Sequence, residues 1–385
     1  MLQRTAPLAL IQAEGSAIDD STRVVDTVVI DYSIDVSRSG GISSINLLAD
    51  ADFAVAGSNR NQRLLGDHIG RVLAGQGSAQ MGPMFALIAN MQTRAEVIDA
   101  LDRLSSEGYA ATQVGALYSG RQFARTMSNC DKANMAGAAD DPRACYWIAA
   151  EAANLDRDAT SESKRFALDT STFSAGMRMP VGDELYLGMA AGFENYSMSN
   201  GDRFMADGKR AHLGVSLATY RGPWEVYGQL SGSKGDADAT RVIGISGVLP
   251  NGDVVTAGTA HVSQTISQAN IRLGGGYRYQ PAGSNFYLRP GLDLDATWLH
   301  SASASEGGDR YGLELKKTSQ WVLSATPSVE LGTDIATDGQ NRMRAYLRGE
   351  MTFSNADDVY VNATFPGADP SDGTFRNYSQ ISDRT

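Results

Sequence analysis

The feature that most constrains this chain is a two-residue alternation of side-chain character that runs from Cys145 almost to the last residue. In NFYLRPGLDLDATW, residues 285–298, one register is uncharged and mostly apolar, while the other carries the charges. MRAYLRGEMTF, residues 343–353, divides its side chains in the same way. Because successive side chains of a β-strand point to opposite faces, this period predicts a sheet with one wholly uncharged face.

The charged face indicates which medium lies against each side of the sheet. No stretch of the sequence approaches the about 18 consecutive apolar residues of a transmembrane helix, so the chain could cross a bilayer only as a barrel. Turning the 343–353 strand inside out would place charges in lipid, at roughly 2–4 kcal/mol for each Arg near the midplane. We therefore expect an aqueous lumen lined by Arg289, Asp293, Asp295, Glu330, Arg344, Arg348 and Glu350.

The lengths of the connecting segments alternate as well. The links around PVGDE, RGPW, QPAGSN and ATDGQN are tight, whereas SNGDRFMADGKR and the segment 232–264 are long and polar. Tight turns on the periplasmic side and long loops on the extracellular side are typical of outer-membrane barrels. Aromatic residues near the tight turns would form a membrane girdle, namely Tyr186, Tyr220, Trp224, Tyr277 and Phe286.

The alternating segments predict nine strands, which begin near Tyr146, Phe166, Tyr186, Ala211, Trp224, Ile266, Asn285, Trp321 and Met343. Bacterial barrels have an even number of strands, and the sequence stops where a tenth would begin. We therefore expect a truncated barrel. Pro290 and Pro327 lie inside predicted strands, where each removes a hydrogen-bond donor, and we expect bulges at these positions.

The first part of the chain has other periods. Residues 1–57 alternate as β-strands do, with Gly and Ser breaks between the runs. In residues 58–128 the apolar side chains recur at three- and four-residue steps, which predicts helices. Gly82-Pro83 and the segment 105–108 divide this part into separate helices.

Composition and motifs argue against several functions. The net charge of −11 and the lack of a basic stripe argue against nucleic-acid binding. Cys130 and Cys145 could form one small disulfide loop or remain free thiols. Asp293 and Asp295 share the lumenal face, where lumenal electrostatics explains them better than a catalytic pair does. With scattered histidines and no nucleotide or hydrolase motif, we expect neither a cofactor, nor a metal, nor an enzyme.

The order of parts along the chain resembles the classical (type Va) autotransporter family. A β-rich end is followed by GSNRNQRLLGDHIGRVLAGQG, by LDRLSSEGYAATQVGALYSGRQFARTM, and then by the cysteines that precede the barrel. LDRLSSEGYA is similar to the family's Leu-x-x-Leu-Ser-Gly-Glu-x-Tyr-Ala pattern, with Ser106 where Gly is usual and Gly108 after the Glu. The resemblance covers nearly the whole chain, and the strand pattern supports it more than this motif does.

The resemblance implies an all-β, antiparallel up-and-down transmembrane barrel of twelve strands, whose lumen is threaded by the helix before the first strand. This pore helix would span about residues 111–127 and carry Tyr118, Arg121, Phe123 and Arg125, with the arginines near lumenal acids. The loop between the cysteines would lie on the periplasmic side. In the alternative interpretation the helix is amphipathic and packs on the segment before it.

The implied domains are the end of a β-helix-like passenger in residues 1–57, a helical linker in 58–128, a disulfide loop in 129–145, and an incomplete barrel in 146–385. The implied function is to export the N-terminal passenger and anchor it at the outer membrane of a bacterium. Expected partners of this monomeric barrel are outer-membrane lipid, its own passenger, the barrel-assembly machinery and periplasmic chaperones. Alternative functions are a hydrolase with its active site in the extracellular loops, and a passive porin or adhesin-like barrel.

Overall fold

A computed structural model describes residues 8–14, 25–39, 42–75, 77–128, 130, 144–336 and 342–381 of the chain. The helices in these residues are α1 (Arg60–Ala74), α2 (Gly82–Ala89), α3 (Arg94–Leu104) and α4 (Glu107–Thr126). The long strands that follow them are β4 (Cys145–Arg157), β5 (Phe166–Pro180), β6 (Leu185–Asn200), β7 (Phe204–Arg221), β8 (Trp224–Val242), β11 (Thr259–Tyr277), β12 (Phe286–Ser301), β15 (Thr318–Ala336) and β16 (Arg342–Glu350). The shorter strands are β1 (Leu8–Glu14), β2 (Ile30–Ser39), β3 (Ile42–Ala51), β9 (Ser246–Val248), β10 (Val254–Thr256), β13 (Ala304–Ser305), β14 (Glu314–Lys316), β17 (Phe353–Ser354), β18 (Asp358–Thr364) and β19 (Phe375–Gln380).

The long strands form one antiparallel sheet in the order β16-β15-β12-β11-β8-β7-β6-β5-β4, and β17 pairs with β15 beyond the end of β16. Each strand therefore pairs with its neighbours in the sequence, which confirms the predicted up-and-down topology. The sheet curls around α4, which contacts β5, β6, β7, β8, β11 and β12. Within the described residues β4 and β16 remain the two edges and do not pair with each other.

Several strands extend further towards the long-loop end than the sequence pattern predicts. β7 begins at Phe204 instead of near Ala211, and β11 begins at Thr259 instead of near Ile266. The expected long loop between β6 and β7 is thus only the tight connection 201–203, where Gly201 has a φ of 66°. In the cap-side parts of these strands the polarity of the two registers is reversed. On β11, Ala260 and Val262 are buried on the concave face, whereas His261 and Ser263 are exposed on the convex face.

The burial pattern of the sheet is the reverse of that in a water-soluble protein. On β12 the side chains of Leu292 and Leu294 are each 47% exposed on the convex face, whereas Asp293 is 9% and Asp295 5% exposed on the concave face. The same reversal holds on neighbouring strands, where Leu213, Leu230, Leu273 and Leu331 are all exposed. A continuous exposed apolar surface of this kind requires an apolar medium against it.

The two prolines lie where a neighbouring ladder ends, and no register shift accompanies them. The β11–β12 ladder ends at Gly276 opposite Gly291, so Pro290 lies just beyond it. Pro327 faces the interruption between β16 and β17, where its carbonyl oxygen accepts a hydrogen bond from the amide of Met351 at 3.2 Å. The expectation of bulges is therefore wrong, because the missing donors are accommodated by breaks in the adjacent strands.

The N-terminal strands form a separate small sheet with the order β1-β3-β2, in which all pairs are antiparallel. Rungs of a β-helix pair in parallel, so the β-helix-like expectation for residues 1–57 is wrong for the part that the structure describes. Among all the residues that the structure describes, no helix is long and apolar enough to cross a bilayer.

A compact layer that we call the cap covers the long-loop end of the sheet. It consists of helices α1–α3 and the hairpins β9–β10, β13–β14 and β18–β19. Their buried apolar side chains belong to one cluster, which includes Leu65, Phe85, Leu101, Tyr311 and Phe365. The predicted linker helices are thus packed against loop hairpins that follow them by up to about 300 positions.

Candidate functional site

Helix α4 lies on the concave side of the sheet and is buried along almost its whole length. An amphipathic helix on a surface would bury one stripe and expose the other. Here the inner wall of the sheet and the β18–β19 hairpin together surround most of the helix, and Gln122 and Arg125 are exposed near its C-terminal end. This placement differs from the alternative in which the helix packs on the N-terminal segment.

Glycines on α4 set how closely the helix approaches the wall. A Cβ atom added at Gly108 would overlap the ring of Phe204, and one at Gly120 would overlap the side chain of Gln268. Tyr109, next to Gly108, also packs edge-on against Phe204 with ring centroids 4.9 Å apart. A larger residue at Gly108 would push the helix away from β7, whereas one at Gly120 would force the flexible Gln268 side chain of β11 to move.

A buried ionic cluster holds the N-terminal end of α4, which lies next to the cap. The hydroxyl of Tyr109 donates to Oε1 of Glu306 at 2.5 Å, and Glu306 also accepts from Nε of Arg241 at 2.8 Å. Arg241 in turn donates from Nη1 to the carbonyl oxygen of Arg103 at 2.6 Å. Burial alone would raise the pKa of Glu306, but Arg241 and these hydrogen bonds hold it below its ordinary value. The carboxylate therefore joins α3, α4 and β8 through the loop that contains β13.

The middle of α4 faces a second polar cluster. Ser119 donates from its hydroxyl to Oε1 of Glu194 at 2.8 Å, and the same oxygen accepts from Nη1 of Arg210 at 2.9 Å. His212 stacks on Phe123 with ring centroids 5.0 Å apart, and its Nε2 lies 3.7 Å from Glu194. Glu194, Arg210 and His212 are all buried. The sequence interpretation did not name them as lumenal groups: it assigned Arg210 to a loop, and Glu194 and His212 stand at or next to the ends of the segments that it used to recognise strands.

The predicted helix residues reach the opposite wall as well. Arg121 donates from Nη2 to the hydroxyl of Ser324 at 3.2 Å, and Arg125 forms an ion pair with Glu350. Tyr118 donates from its hydroxyl to the carbonyl oxygen of Ile381 at 2.9 Å. Together with Phe123, these residues place all the named side chains of the predicted pore helix against the inner wall or the segment after β19.

The predicted lumenal charges lie on the concave face and neutralise one another. Arg289 lies 3.6 Å from Glu330 and also pairs with Glu225, and Arg348 lies 3.6 Å from Asp293 and 3.2 Å from Glu350. They border a cavity of about 370 Å³ beside Arg125. The side chain of Arg344 lies outside the described residues.

The neighbouring aspartates have different partners. Nε of Arg272 donates to Asp295 at 2.7 Å, while Asp293 accepts from the hydroxyl of Tyr227. Each carboxylate is thus engaged by an arginine or a phenol. Both aspartates are therefore held by partners on the wall, as the electrostatic interpretation of the pair expects.

The outer aromatic residues differ in part from the expected girdle. Trp224 and Tyr277 pack edge-on at 4.8 Å on the convex face, and Phe286 is 69% exposed there. Tyr186 and Tyr220 instead lie in the inner register, where Arg178 donates to the Tyr220 hydroxyl at 2.8 Å. For these two tyrosines the girdle expectation is wrong, because it rested on their distance from a turn instead of on the parity of the strand.

A second aromatic level lies nearer the cap. Trp298 and Trp321 are cross-strand partners, and Trp321 is largely exposed on the convex face. From Phe286 to Trp298 a strand that rises about 3.3 Å per residue and tilts by about 45° spans about 28 Å, close to the ~25 Å apolar band of outer-membrane barrels. The two tryptophans therefore mark the boundary of the apolar band on the side of the cap, which the sequence analysis did not identify.

The disulfide between Cys130 and Cys145 connects the end of α4 to the first residue of β4. Of the two possibilities left open by the sequence, the structure thus contains the bonded form. The bond fixes the lower end of the helix beside the sheet edge.

Replacing Cys130 and Cys145 with serine should lower the stability of the docked helix by about 3 kcal/mol, because a cross-link over about 15 residues removes that much loop entropy from the unfolded chain. The urea midpoint of the detergent-solubilised protein, with and without reductant, measures this effect. The serine variant should not respond to reductant. An unchanged midpoint for the fully reduced parent protein would contradict the prediction.

The family model described as Autotransporter beta-domain matches residues 146–385. Comparison with curated proteins gives no match. Among solved structures, the chain is similar to the translocator domain of autotransporter NalP from Neisseria meningitidis, with 15% identity and a TM-score of 0.48 over 71% of this chain and 96% of that chain. It is also similar to the beta domain of the Bordetella autotransporter BrkA, with 15% identity and a TM-score of 0.39 over 58% of this chain and 85% of that chain. Since the family model alone extends over more than half of the sequence, the chain belongs to the autotransporter β-domain family.

Proposed function

We propose that α4 is the pore helix of this translocator, which fills the lumen after export, closes it, and connects the barrel to the exported passenger. The chain, as a member of its family, is an outer-membrane protein that carries its N-terminal passenger to the bacterial cell surface. The family match confirms this expected function. The burial of α4 along nearly its whole length, by inner-face side chains and by the β18–β19 hairpin, is the observation that supports the role of the helix.

The division of the chain is part of the same proposal. Residues 1–57 would be the end of the passenger, 58–128 the connecting helices, 129–145 the disulfide loop on the periplasmic side, and 146–385 the barrel. The contacts of α1–α3 with the loop hairpins support one amendment, namely that these helices belong to the extracellular cap. The chain would then pass from the cap through the lumen along α4 to the disulfide.

The character of the lower lumen supports passage of a polypeptide. Its lining consists of charges of both signs, such as Arg289 with Glu330 and Arg348 with Asp293, beside small polar side chains. An unfolded segment would meet water and paired charges there instead of an apolar surface on which it could collapse. α4 presents mostly small or polar residues to this wall, so it can lie there after export.

We further propose that the chain catalyses no reaction, and that the barrel-assembly machinery and periplasmic chaperones act on it, as the family resemblance implies. Translocator domains of this family are transport modules. The hydrolase alternative has little support at the upper rim. His300 and Ser319 approach to 2.8 Å, but they are cross-strand neighbours on the convex face, and the imidazole stacks on Trp298. This pair belongs to the upper aromatic level.

Replacing residues 107–126 of the intact protein with a flexible Gly/Ser segment of equal length tests the role of α4. Because the helix fills the lumen, its replacement should raise the single-channel conductance in a planar bilayer and increase the uptake of a large antibiotic by cells. Heat-modifiable mobility in gel electrophoresis should first show that the variant barrel is assembled.

Arg125→Ala serves as the matched control within the helix. Its ion pair with Glu350 is half exposed, so the loss should leave the helix in place and the conductance low. An assembled barrel without α4 that conducts no more than this control would rule out the pore-closing role.

A further inference from the structure

Helix α1 is docked on the β18–β19 hairpin, which follows it by about 300 residues. Arg60 lies over the ring of Tyr378, with the guanidinium carbon 3.4 Å from the ring centroid, and donates to Asp358 at 2.7 Å. At the other end of the helix, Arg71 donates from Nη2 to the carbonyl oxygen of Thr374 at 3.2 Å. The contact therefore extends along the whole helix.

Two asparagines form a reciprocal arrangement at the centre of this contact. The side-chain amide of Asn61 donates to the carbonyl oxygen of Tyr378 at 2.9 Å and accepts from its backbone amide at 2.8 Å. Asn61 thus pairs with the free edge of β19 as a neighbouring strand would. In return, the side chain of Asn377 donates to the carbonyl oxygen of Asn61 at 3.1 Å.

Asn377 also links the hairpin to the start of α4. Its Oδ1 accepts from the backbone amide of Ser106 at 2.8 Å and from the hydroxyl of Ser105 at 3.1 Å. The side chain is fully buried, and that of Asn61 nearly so. Because buried amides that lose their partners pay a desolvation penalty, these hydrogen bonds favour one docked arrangement.

An aromatic pocket completes the docking surface. The imidazole of His68 forms a triangular cluster with the rings of Phe365 and Phe375: its centroid lies 5.4 and 5.3 Å from theirs, which are 5.5 Å apart. Burial, reinforced by the nearby Arg71, lowers the pKa of His68 to about 4, so the ring is neutral at ordinary pH. A neutral ring can pack against two phenylalanines without the cost of burying a charge.

We infer that the β18–β19 hairpin is a docking surface for α1 of the same chain, and that it holds the exported part of the protein at the cell surface without a continuous backbone. The inference uses the export function of the family and does not depend on α4 closing the pore. α1 precedes α4 in the sequence, whereas the hairpin belongs to the barrel. After a cut between α2 and α3, this contact would hold the two parts together, with the smaller contacts of α2 and the segment before it on the cap.

The connection between α2 and α3 is a suitable place for such a cut, because Asn90, Gln92 and Thr93 are exposed there. A specific protease site inserted between Met91 and Gln92 of the intact, displayed protein would be cleaved on living cells. We expect the N-terminal fragment, which carries the passenger and α1, to remain with the cells. Immediate loss of this fragment to the medium would overturn the inference.

Asn61→Ala combined with Asn377→Ala should release the cleaved fragment about tenfold faster or more, since several buried hydrogen bonds are lost. Asn251→Ala, at an exposed turn of the β9–β10 hairpin, is the matched control and should behave like the parent. Equal release from the double variant and the control would show that the contact of Asn61 with the hairpin does not hold the fragment, and would overturn the inference. Should the double variant fail to reach the surface, Arg60→Ala, which removes the contacts with Tyr378 and Asp358, takes its place and should also speed release.

Discussion

Replacing Glu306 with alanine should destabilise the folded protein by about 3–5 kcal/mol, because it would leave the buried Arg241 without a counter-charge. Tyr109 and the amide of Leu313 would lose their acceptor in the same step. The midpoint of urea unfolding, followed separately for the cap and the barrel by site-specific fluorophores, measures the loss. The cap and the upper end of α4 should unfold first.

Glu314→Ala is the matched control, because Glu314 lies in the same loop as Glu306. Its ion pair with Lys316 is more than 40% exposed on both sides, so its loss should cost about 0–1 kcal/mol. Equal midpoints for the two alanine variants would show that the buried cluster does not hold the loop to α4.

Replacing Leu292 with arginine should destabilise the membrane-inserted barrel by about 2–4 kcal/mol, because a charge would be placed near the middle of the apolar band. Leu292 lies midway between the aromatic levels at Phe286 and Trp298 and points outward. The free energy of unfolding from lipid vesicles into denaturant measures the effect.

Phe286→Arg on the same strand controls for the depth of the substitution. Phe286 lies at the lower aromatic level, where an arginine can reach the lipid head groups and should cost about 0–1 kcal/mol. A penalty at Leu292 no greater than that at Phe286 would contradict a bilayer against the convex face.

Sequence prediction was accurate where the signal lies within one segment of the chain, and it failed where the structure depends on other segments. The register of β12 was predicted correctly, because the alternation of Leu292, Asp293, Leu294 and Asp295 appears within one segment. The cap-side ends of β7 and β11 were missed, because beyond the apolar band the polarity of the two faces is reversed: apolar residues such as Phe204 and Val262 face inward. Tyr186 and Tyr220 were placed by their nearness to a turn, and strand parity then put them on the other face.

The contacts that complete the cap had no local signal. Asn61 and Tyr378 are separated by 317 positions, and neither residue stands in a pattern that indicates its partner. Glu306 was likewise one acid in a loop, although it proved to be the centre of a buried cluster. Such partners become neighbours only when the sheet curls and brings its loops over α4.

The sequence by itself determined which face of the sheet meets lipid, the order of strands and helices, and the family to which they belong. These properties follow from side-chain periodicity and from the cost of placing charges in hydrocarbon, and both can be read along one segment at a time. Tertiary structure alone decided the position of α4 on the concave wall, the bond between Cys130 and Cys145, and the docking of α1 on the β18–β19 hairpin. Each of these depends on distances between segments far apart in the chain, which local patterning does not encode.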